Sequence, residues 1–238
     1  METTNGLLAR LGAAERDALA PHLRPHDFKL GEVLYDHGQP ITDVHFVEGG
    51  IVSMITIMLD GGSVETAAIG REGLVGDGAA FRPAPHFGRA LVQADGKSQK
   101  IEIARLHELM DRHPGLRTLL ETYSNAMTSE AQQNAACNAV HRLEGRLGKW
   151  LLRCHDRIDG DTLPMTQEFL SYMLGAQRTT VTEVARRLQF AGLIRYSRGK
   201  IEVLDRAGLE KASCECYAAV QDRTAELGLP GSAKRLLS

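Results

Sequence analysis

The chain has 238 residues, 43% of them apolar and 24% charged, with a formal net charge of −2. This composition suits a globular protein of one large or two small domains and excludes a polycation; four cysteines are too few for a disulfide framework. No uncharged apolar run is long enough to span a bilayer, and METTNGLLARLGAAERDALA lacks a basic n-region, so a cytoplasmic protein with reduced thiols is expected.

Residues 6–23 space Leu7, Leu8, Leu11, Leu19 and Leu23 as an amphipathic helix or pair of helices. From Phe28 to Ile103 glycine is frequent and short β-type runs lie between the glycines: VLYD, DVHFVE, GIVSMITIML, VETAAI, RALVQAD and QKIEIA. That spacing predicts a β-sandwich or barrel, with LDGGSVE as a hairpin turn. ARLHELMDRH predicts a helix closed at His113-Pro114. Leu116 to Val140 then contains neither Gly nor Pro. Its Leu116, Leu120, Tyr123, Met127, Glu130, Asn134 and Cys137 step alternately by four and three. This heptad-like seam predicts a homodimer through the helix; the competing reading is a helix packed on its own β-domain. HRLEGRLGKWLLRCHDRI predicts another helix with Leu143, Leu147, Trp150, Leu151 and Ile158 inward, and Asp159 to Pro164 reads as a loop.

The stretch MTQEFLSYMLGAQRTTVTEVARRLQFAGLIRYSRGKI, from Met165 to Ile201, is the most informative. Thr166 is a suitable N-cap for QEFLSYML, and Gly175 ends that helix. A second helix from Gln177 to about Phe190 turns Val181, Val184, Ala185 and Leu188 to a core and leaves Arg178, Thr179, Thr182, Glu183 and Arg186 outward. LIRYS and KIEVL around an Arg-Gly turn predict a hairpin. Two helices joined by a glycine-bearing turn and followed by a hairpin form a winged helix-turn-helix. Arg178 is suited to guanine O6 and N7; Arg195, Arg198 and Lys200, with Arg186 or Arg187, are suited to phosphates. Between Arg142 and Glu210, twelve Lys/Arg against nine Asp/Glu give a local net charge of +3, leaving −5 for the rest of the chain. The DNA-contacting set expected is Gln177, Arg178, Thr179, Thr182, Glu183, Arg186, Arg198 and Lys200.

Over nearly its whole length the chain resembles the Crp/Fnr family of bacterial transcription regulators. LEGRLGKWLL resembles the helix that opens the family's DNA-binding domain, and LGAQRTTVTEVARRLQFAGLI its recognition segment, with Arg178 at the guanine-reading arginine. Thr179 and Glu183 stand where the family often has Glu and Arg, so a different operator is expected. The resemblance implies an α+β fold: an N-terminal double-stranded β-helix (β-roll) at residues 1–112, a long dimerisation helix and hinge at 113–141, and a C-terminal winged helix-turn-helix with an extension at 142–238. The dimer interface implied is Leu116, Leu120, Tyr123, Met127, Asn134 and Cys137.

The resemblance also directs attention to an effector. Cyclic-nucleotide-binding members carry a Gly-Glu-aliphatic turn and a later Arg-Ser/Thr-Ala around the cyclic phosphate. Here Gly76, Asp77 and Arg89 are the corresponding effector-binding candidates, but Asp77 is one methylene short, Gly78 replaces the aliphatic residue, Pro83 and Pro85 remove amide donors, and no hydroxyl follows Arg89. Cyclic AMP or GMP is therefore disfavoured and the effector is unknown. An N-terminal cysteine cluster for iron–sulfur is absent. Cys214 and Cys216, with Cys154-His155 in the same domain, read as idle thiols rather than a metal or redox site, and Cys137 as a small core residue. No catalytic motif occurs, so no enzyme is expected. The expected function is a homodimeric regulator bound to a near-palindromic duplex site, with RNA polymerase a candidate partner; the alternative is a small-molecule sensor whose C-terminal domain binds a protein.

Overall fold

A computed structural model describes residues 2–81 and 87–229. The chain opens with two short helices, α1 (Gly6–Arg10) and α2 (Ala13–Leu19), and a 3-10 turn at Ala20–His22. Strands β1 (Arg24–Phe28), β2 (Val33–Tyr35), β3 (Asp43–Ile57), β4 (Ser63–Ile69), β5 (Leu74–Val75) and β6 (Arg89–Glu102) build the N-terminal sheet, with α3 (Asp77–Phe81) between the last two. Helix α4 (Ile103–Arg112) leads to the 27-residue α5 (Pro114–Val140). The C-terminal part comprises α6 (Leu143–Arg157), β7 (Thr162–Pro164), α7 (Gln167–Leu174), α8 (Arg178–Phe190), β8 (Ile194–Ser197), β9 (Lys200–Val203), α9 (Arg206–Ala212) and α10 (Cys216–Glu226). The fold is the expected α+β arrangement of β-roll, long helix and winged helix-turn-helix.

The N-terminal sheet is antiparallel, in the order β1-β6-β3-β4, with β2 added to β6 and β5 to β3. Sequence runs separated by Gly49-Gly50, and others separated by Gly96, each merge into one long bent strand. The glycines are a crossing point rather than turns. A Cβ on Gly96 would lie 1.9 Å from the Gly49 carbonyl oxygen, and one on Gly50 would lie 2.6 Å from that of Ala94. Register shifts cluster at Val47, Gly49 and Ile51, where β3 bends against β6. The expected hairpin at Asp60-Gly61-Gly62 forms, closed by Met58 N–H to the Gly62 carbonyl at 2.7 Å. Asp159 to Pro164, expected as loop, yields β7, which pairs with β9 at the edge of the wing; its three residues are too few to show alternation.

Phe28, Tyr35, Val47, Val52, Ile69, Val75, Ala90 and Val92 pack into the roll. A second core gathers α1, α2, α4 and the first half of α5 over Val44, Phe46, Leu74 and Ile101. The third fills the C-terminal domain and continues through Ile51, Ile55, Ala68 and Ala94 of the sheet.

The heptad seam of α5 is real, but it faces inward. Leu116, Leu120 and Tyr123 are buried in the second core, and Met127 packs against it. Asn134 donates to the Thr66 carbonyl at 2.7 Å, and Cys137 lies buried against Lys149 and Cys214. Leu116, Leu120, Tyr123, Met127 and Asn134 thus pack on the chain's own β-domain, and Cys137 on the C-terminal part. The opposite stripe, Thr118, Glu121, Asn125, Thr128, Gln132, Ala135 and Ala139, keeps the same three-four step and is exposed.

Helix α6 departs from a simple amphipathic helix. Every residue from Leu147 to Arg157 is buried, including Lys149, Arg153, His155, Asp156 and Arg157. The charges survive burial because each meets a partner. Arg153 pairs with Glu130 of α5, and Arg157 with Glu72 ahead of β5 at 2.7 Å. Lys149 donates to Asn134 Oδ1 at 2.8 Å, and Trp150 Nε1–H to Glu65 of β4 at 2.9 Å. On its far side Asp156 binds Arg206 at 2.7 Å and accepts from the Tyr217 hydroxyl at 2.9 Å. Glu130→Ala would strand a buried guanidinium and should cost about 3–5 kcal/mol in urea unfolding, whereas Glu130→Leu combined with Arg153→Met should be close to neutral or stabilising. Equal losses in both variants would assign the effect to packing rather than to the unpaired charge.

Candidate nucleic-acid interface

The Thr166 hydroxyl accepts from Phe169 N–H at 3.1 Å and fixes the start of α7. At the other end Gly175 adopts the left-handed conformation, φ +57°, and donates to the Ser171 and Tyr172 carbonyls. Arg146 of α6 donates to the free Leu174 carbonyl. The chain then turns into α8, whose Val181, Val184, Ala185 and Leu188 are buried as the periodicity requires. No side chain caps α8 at Gln177, so its first amides are not satisfied by a cap. Such a terminus favours an anionic ligand oxygen.

Gln177, Arg178, Thr179, Glu183 and Arg186 are exposed. Thr182 is half-buried, and its hydroxyl is already donated to the Arg178 carbonyl at 2.8 Å. What it can still offer is a methyl group and an oxygen lone pair. Glu183 lies 3.7 Å from Arg187, which also reaches Glu144 of α6 at 3.4 Å. Arg178 and Arg186 form no ion pair among the described residues.

The wing is the β8–β9 hairpin, closed by Arg198 (φ +48°) and Gly199 (φ +76°). Two positive φ values in succession match the twist of a two-residue hairpin turn. Arg198 and Lys200 are exposed at the tip and, among the described residues, unpaired. Arg195 differs, because Glu202 directly opposite takes its guanidinium at 2.7 Å. The wing is held to both helices: Gln189 Oε1 accepts from Tyr196 N–H at 2.7 Å, and the Gly199 carbonyl accepts from Met165 N–H at 2.7 Å. The positive local charge read from the sequence therefore divides. Lys149, Arg153 and Arg157 are spent on partners in α5 and in the turn before β5, and Arg206 on Asp156 of α6. Arg178, Arg186, Arg198 and Lys200, with Arg142 between α5 and α6, are exposed and without an ion pair among the described residues.

The effector candidates lie elsewhere. Gly76, φ +95°, precedes α3, which starts at Asp77. Arg89 opens β6 and is held by both oxygens of Asp36, at 3.0 and 2.9 Å. That hydrogen-bonded pairing keeps the Asp36 carboxyl below its usual pKa. Asp36 escaped sequence reading, since a lone Asp in VLYDHG carries no signal of its partner 53 residues away. Arg89 also lines a cavity between the sheet and α7, with Ile57, Leu91, Phe169 and Tyr172. Pro83 and Pro85 lie outside the described residues.

Known proteins match both parts of this arrangement. Residues 25–113 match the cyclic nucleotide-binding domain family, and residues 145–212 the Crp-like helix-turn-helix domain family. The chain is 23% identical over 195 residues to the "CRP-like cAMP-activated global transcriptional regulator" of Mycobacterium tuberculosis, covering 79% of this chain and 87% of that one. It is 26% identical over 192 residues to "Transcriptional regulator SdrP" of Thermus thermophilus, covering 77% and 91%. Among solved structures, a Crp/Fnr-family regulator from Eubacterium rectale superposes with a TM-score of 0.71 at 19% identity, covering 89% of this chain and 99% of that one. FixK2 from Bradyrhizobium japonicum gives 0.69 at 16%, covering 81% and 98%. No helix among the described residues is long and apolar enough to cross a membrane.

The Thr166 cap is the local device on which the first helix depends. Thr166→Ala should cost about 1 kcal/mol in denaturant unfolding and Thr166→Ser much less. An equal loss in both would assign the cost to packing of the methyl group, which lies where a Cβ on Gly199 would meet it at 3.5 Å.

Proposed function

From the premise that this chain belongs to the Crp/Fnr family, a cyclic nucleotide-binding domain joined to a Crp-like helix-turn-helix domain, we propose that it regulates transcription as a homodimer on a near-palindromic duplex site. The observation that carries this reading is the exposed first turn of α8, with Arg178 unpaired among the described residues on a helix whose other face is locked in the core. A bidentate guanidinium on guanine supplies specificity; Arg186, Arg198, Lys200 and the α8 N-terminus supply phosphate contacts. Thr179 and Glu183 make the operator differ from the family's common half-site. Two-fold symmetry sets half-sites roughly 34 Å apart. The working units are the sensor at 1–112, the helix and hinge at 113–141 and the DNA-binding part at 142–238.

The outer stripe of α5 supports dimerisation. From Thr122 to Val140 the one charged residue is Glu130, which is buried against Arg153. Beyond Glu121 the exposed stripe is thus uncharged and heptad-spaced, and it ends on the small residues Ala135 and Ala139, a pattern that suits pairing with a second helix. This stripe replaces the inward seam as the proposed interface. Regulators of this class require no catalysis, and RNA polymerase is a fitting partner for promoter-bound protein.

The effector reading is narrower. A cyclic phosphate at Arg89 would have to displace Asp36, so control by cyclic AMP or GMP is disfavoured, and another small ligand or none is the better expectation. A C-terminal domain that binds only a protein partner would leave the free cations of the reading helix and wing without a role.

Selection of genomic fragments at physiological salt should return an inverted repeat; recovery of unrelated sequences would remove the proposal. Arg178→Ala should lose about 1–3 kcal/mol of discrimination at one base position, while Lys200→Ala should weaken all sequences alike and lower the salt slope by about 1. Ala135→Glu should yield folded monomer by analytical ultracentrifugation, while Leu120→Ala should instead destabilise the protomer by about 2–5 kcal/mol.

A further inference from the structure

Four potential metal ligands converge where α5 ends. Cys137 and His141 are four residues apart on its last turn, and His141 N–H still bonds the Cys137 carbonyl at 3.0 Å. Cys214 and Cys216 come from the junction of α9 and α10. Their ligand atoms all lie within 4.8 Å of one another. Cys137 Sγ is 3.6 Å from Cys214 Sγ, and Cys216 Sγ is 3.4 Å from His141 Nδ1. Bond lengths near 2.3 Å to sulfur and 2.0–2.1 Å to nitrogen at tetrahedral angles place ligand atoms about 3.8 Å apart for two sulfurs and about 3.6 Å for sulfur and nitrogen. Both measured separations are close to those values.

The surroundings are built for ligation. His141 presents Nδ1 to the cluster while Nε2 meets Glu215 Oε1 at 3.0 Å, a carboxylate that fixes the tautomer with Nδ1 free to donate its lone pair. Gln133 Nε2 approaches Cys216 Sγ at 3.0 Å, and Lys149 Nζ approaches Cys137 Sγ at 3.3 Å. These N–H donors suit the charge of thiolates. Helix α6 also makes room: Cys214 N–H bonds the Gly145 carbonyl at 3.2 Å, where a Cβ on residue 145 would sit 3.3 Å from the Cys214 Cβ. Cys154 takes no part; it is buried against Gln93 and Met165.

We propose that Cys137, His141, Cys214 and Cys216 form a tetrahedral zinc site that pins the end of the long helix to the last helix of the DNA-binding part. Three thiolates and an imidazole select zinc over hard cations. The site straddles the two extended residues His141 and Arg142 that separate α5 from α6. Bound zinc would hold the angle between those helices, and removing it would free the hinge. The site rests on its own geometry and is read without DNA, so it stands or falls apart from the DNA-binding proposal.

Full-length protein purified under reducing conditions should carry one zinc per chain by elemental analysis. Cobalt(II) added to metal-free protein should give tetrahedral visible bands and thiolate charge-transfer absorption, lost on adding zinc. Cys216→Ser and His141→Ala should each lower retained zinc at least tenfold, and Cys154→Ala should keep it. Chelation should lower the melting midpoint by about 5–10 °C, reversibly on zinc return. Because a variant can fail by misfolding, circular dichroism accompanies each, and the cobalt titration of the unmutated chain decides independently. Reduced protein that binds neither metal, zinc retained by the Cys214→Ser/Cys216→Ser double variant, or a metal-free Cys137–Cys214 disulfide would overturn the assignment.

Discussion

The buried charges of α6 are the constraint on which the rest of the molecule depends. Its inner half carries Lys149, Arg153 and Arg157 into the interior, and their partners belong to α5, the sheet and the turn before β5. An unpaired charge there is far more costly than a lost apolar contact, because desolvation is compensated only while the partner stays in place. The orientation of the DNA-binding part is thus fixed by groups that must meet in pairs. The apolar core reinforces this, since residues of β3 and β4 pack directly against those of the helix-turn-helix. The two matched domains therefore share one interior.

That arrangement gives the hinge its character. Only His141 and Arg142 interrupt helical backbone between α5 and α6. A two-residue joint permits rotation, yet Glu130–Arg153 and Asn134–Lys149 span it from one side. Any reorientation of α8 relative to the sheet must exchange those pairs for others of comparable strength. The thiol and imidazole groups at the same joint span it from the other direction, through the α9–α10 junction. The hinge is thus bracketed by two sets of directional contacts, one ionic and one of metal-binding chemistry.

At the reading surface, the division between paired and unpaired cations matters more than total charge. Arg195 is matched by Glu202 within the wing, whereas Arg198 and Lys200 at its tip are not. The backbone positions both: consecutive positive φ values at the turn project the tip outward, and Gln189 and Met165 tie the hairpin to α8 and to the start of α7. Preorganisation of this kind lowers the ordering cost of binding a duplex. The β-roll arginine is the counterexample, its charge already met by Asp36.

Local chemistry made much of this legible in the sequence. Helical periodicity named the buried face of α8, the Thr166 cap and Gly175 delimited α7, and the Arg-Gly turn announced the wing, because each is settled by residues within one or two turns of each other. The seam of α5 was equally legible as a seam, but its partner was not. Leu116, Leu120 and Tyr123 would pack as well against a second copy as against α4 and the sheet, and only the tertiary fold decides between them. Gly49, Gly50 and Gly96 read as turns for a similar reason: a glycine required by another strand looks like one required by its own φ. Four metal ligands drawn from two segments more than seventy residues apart carry no local pattern beyond Cys-x-Cys. Sequence determined the elements and the chemistry they display; the tertiary structure alone decided which surfaces meet, because pairing across the fold depends on distances that no short-range rule encodes.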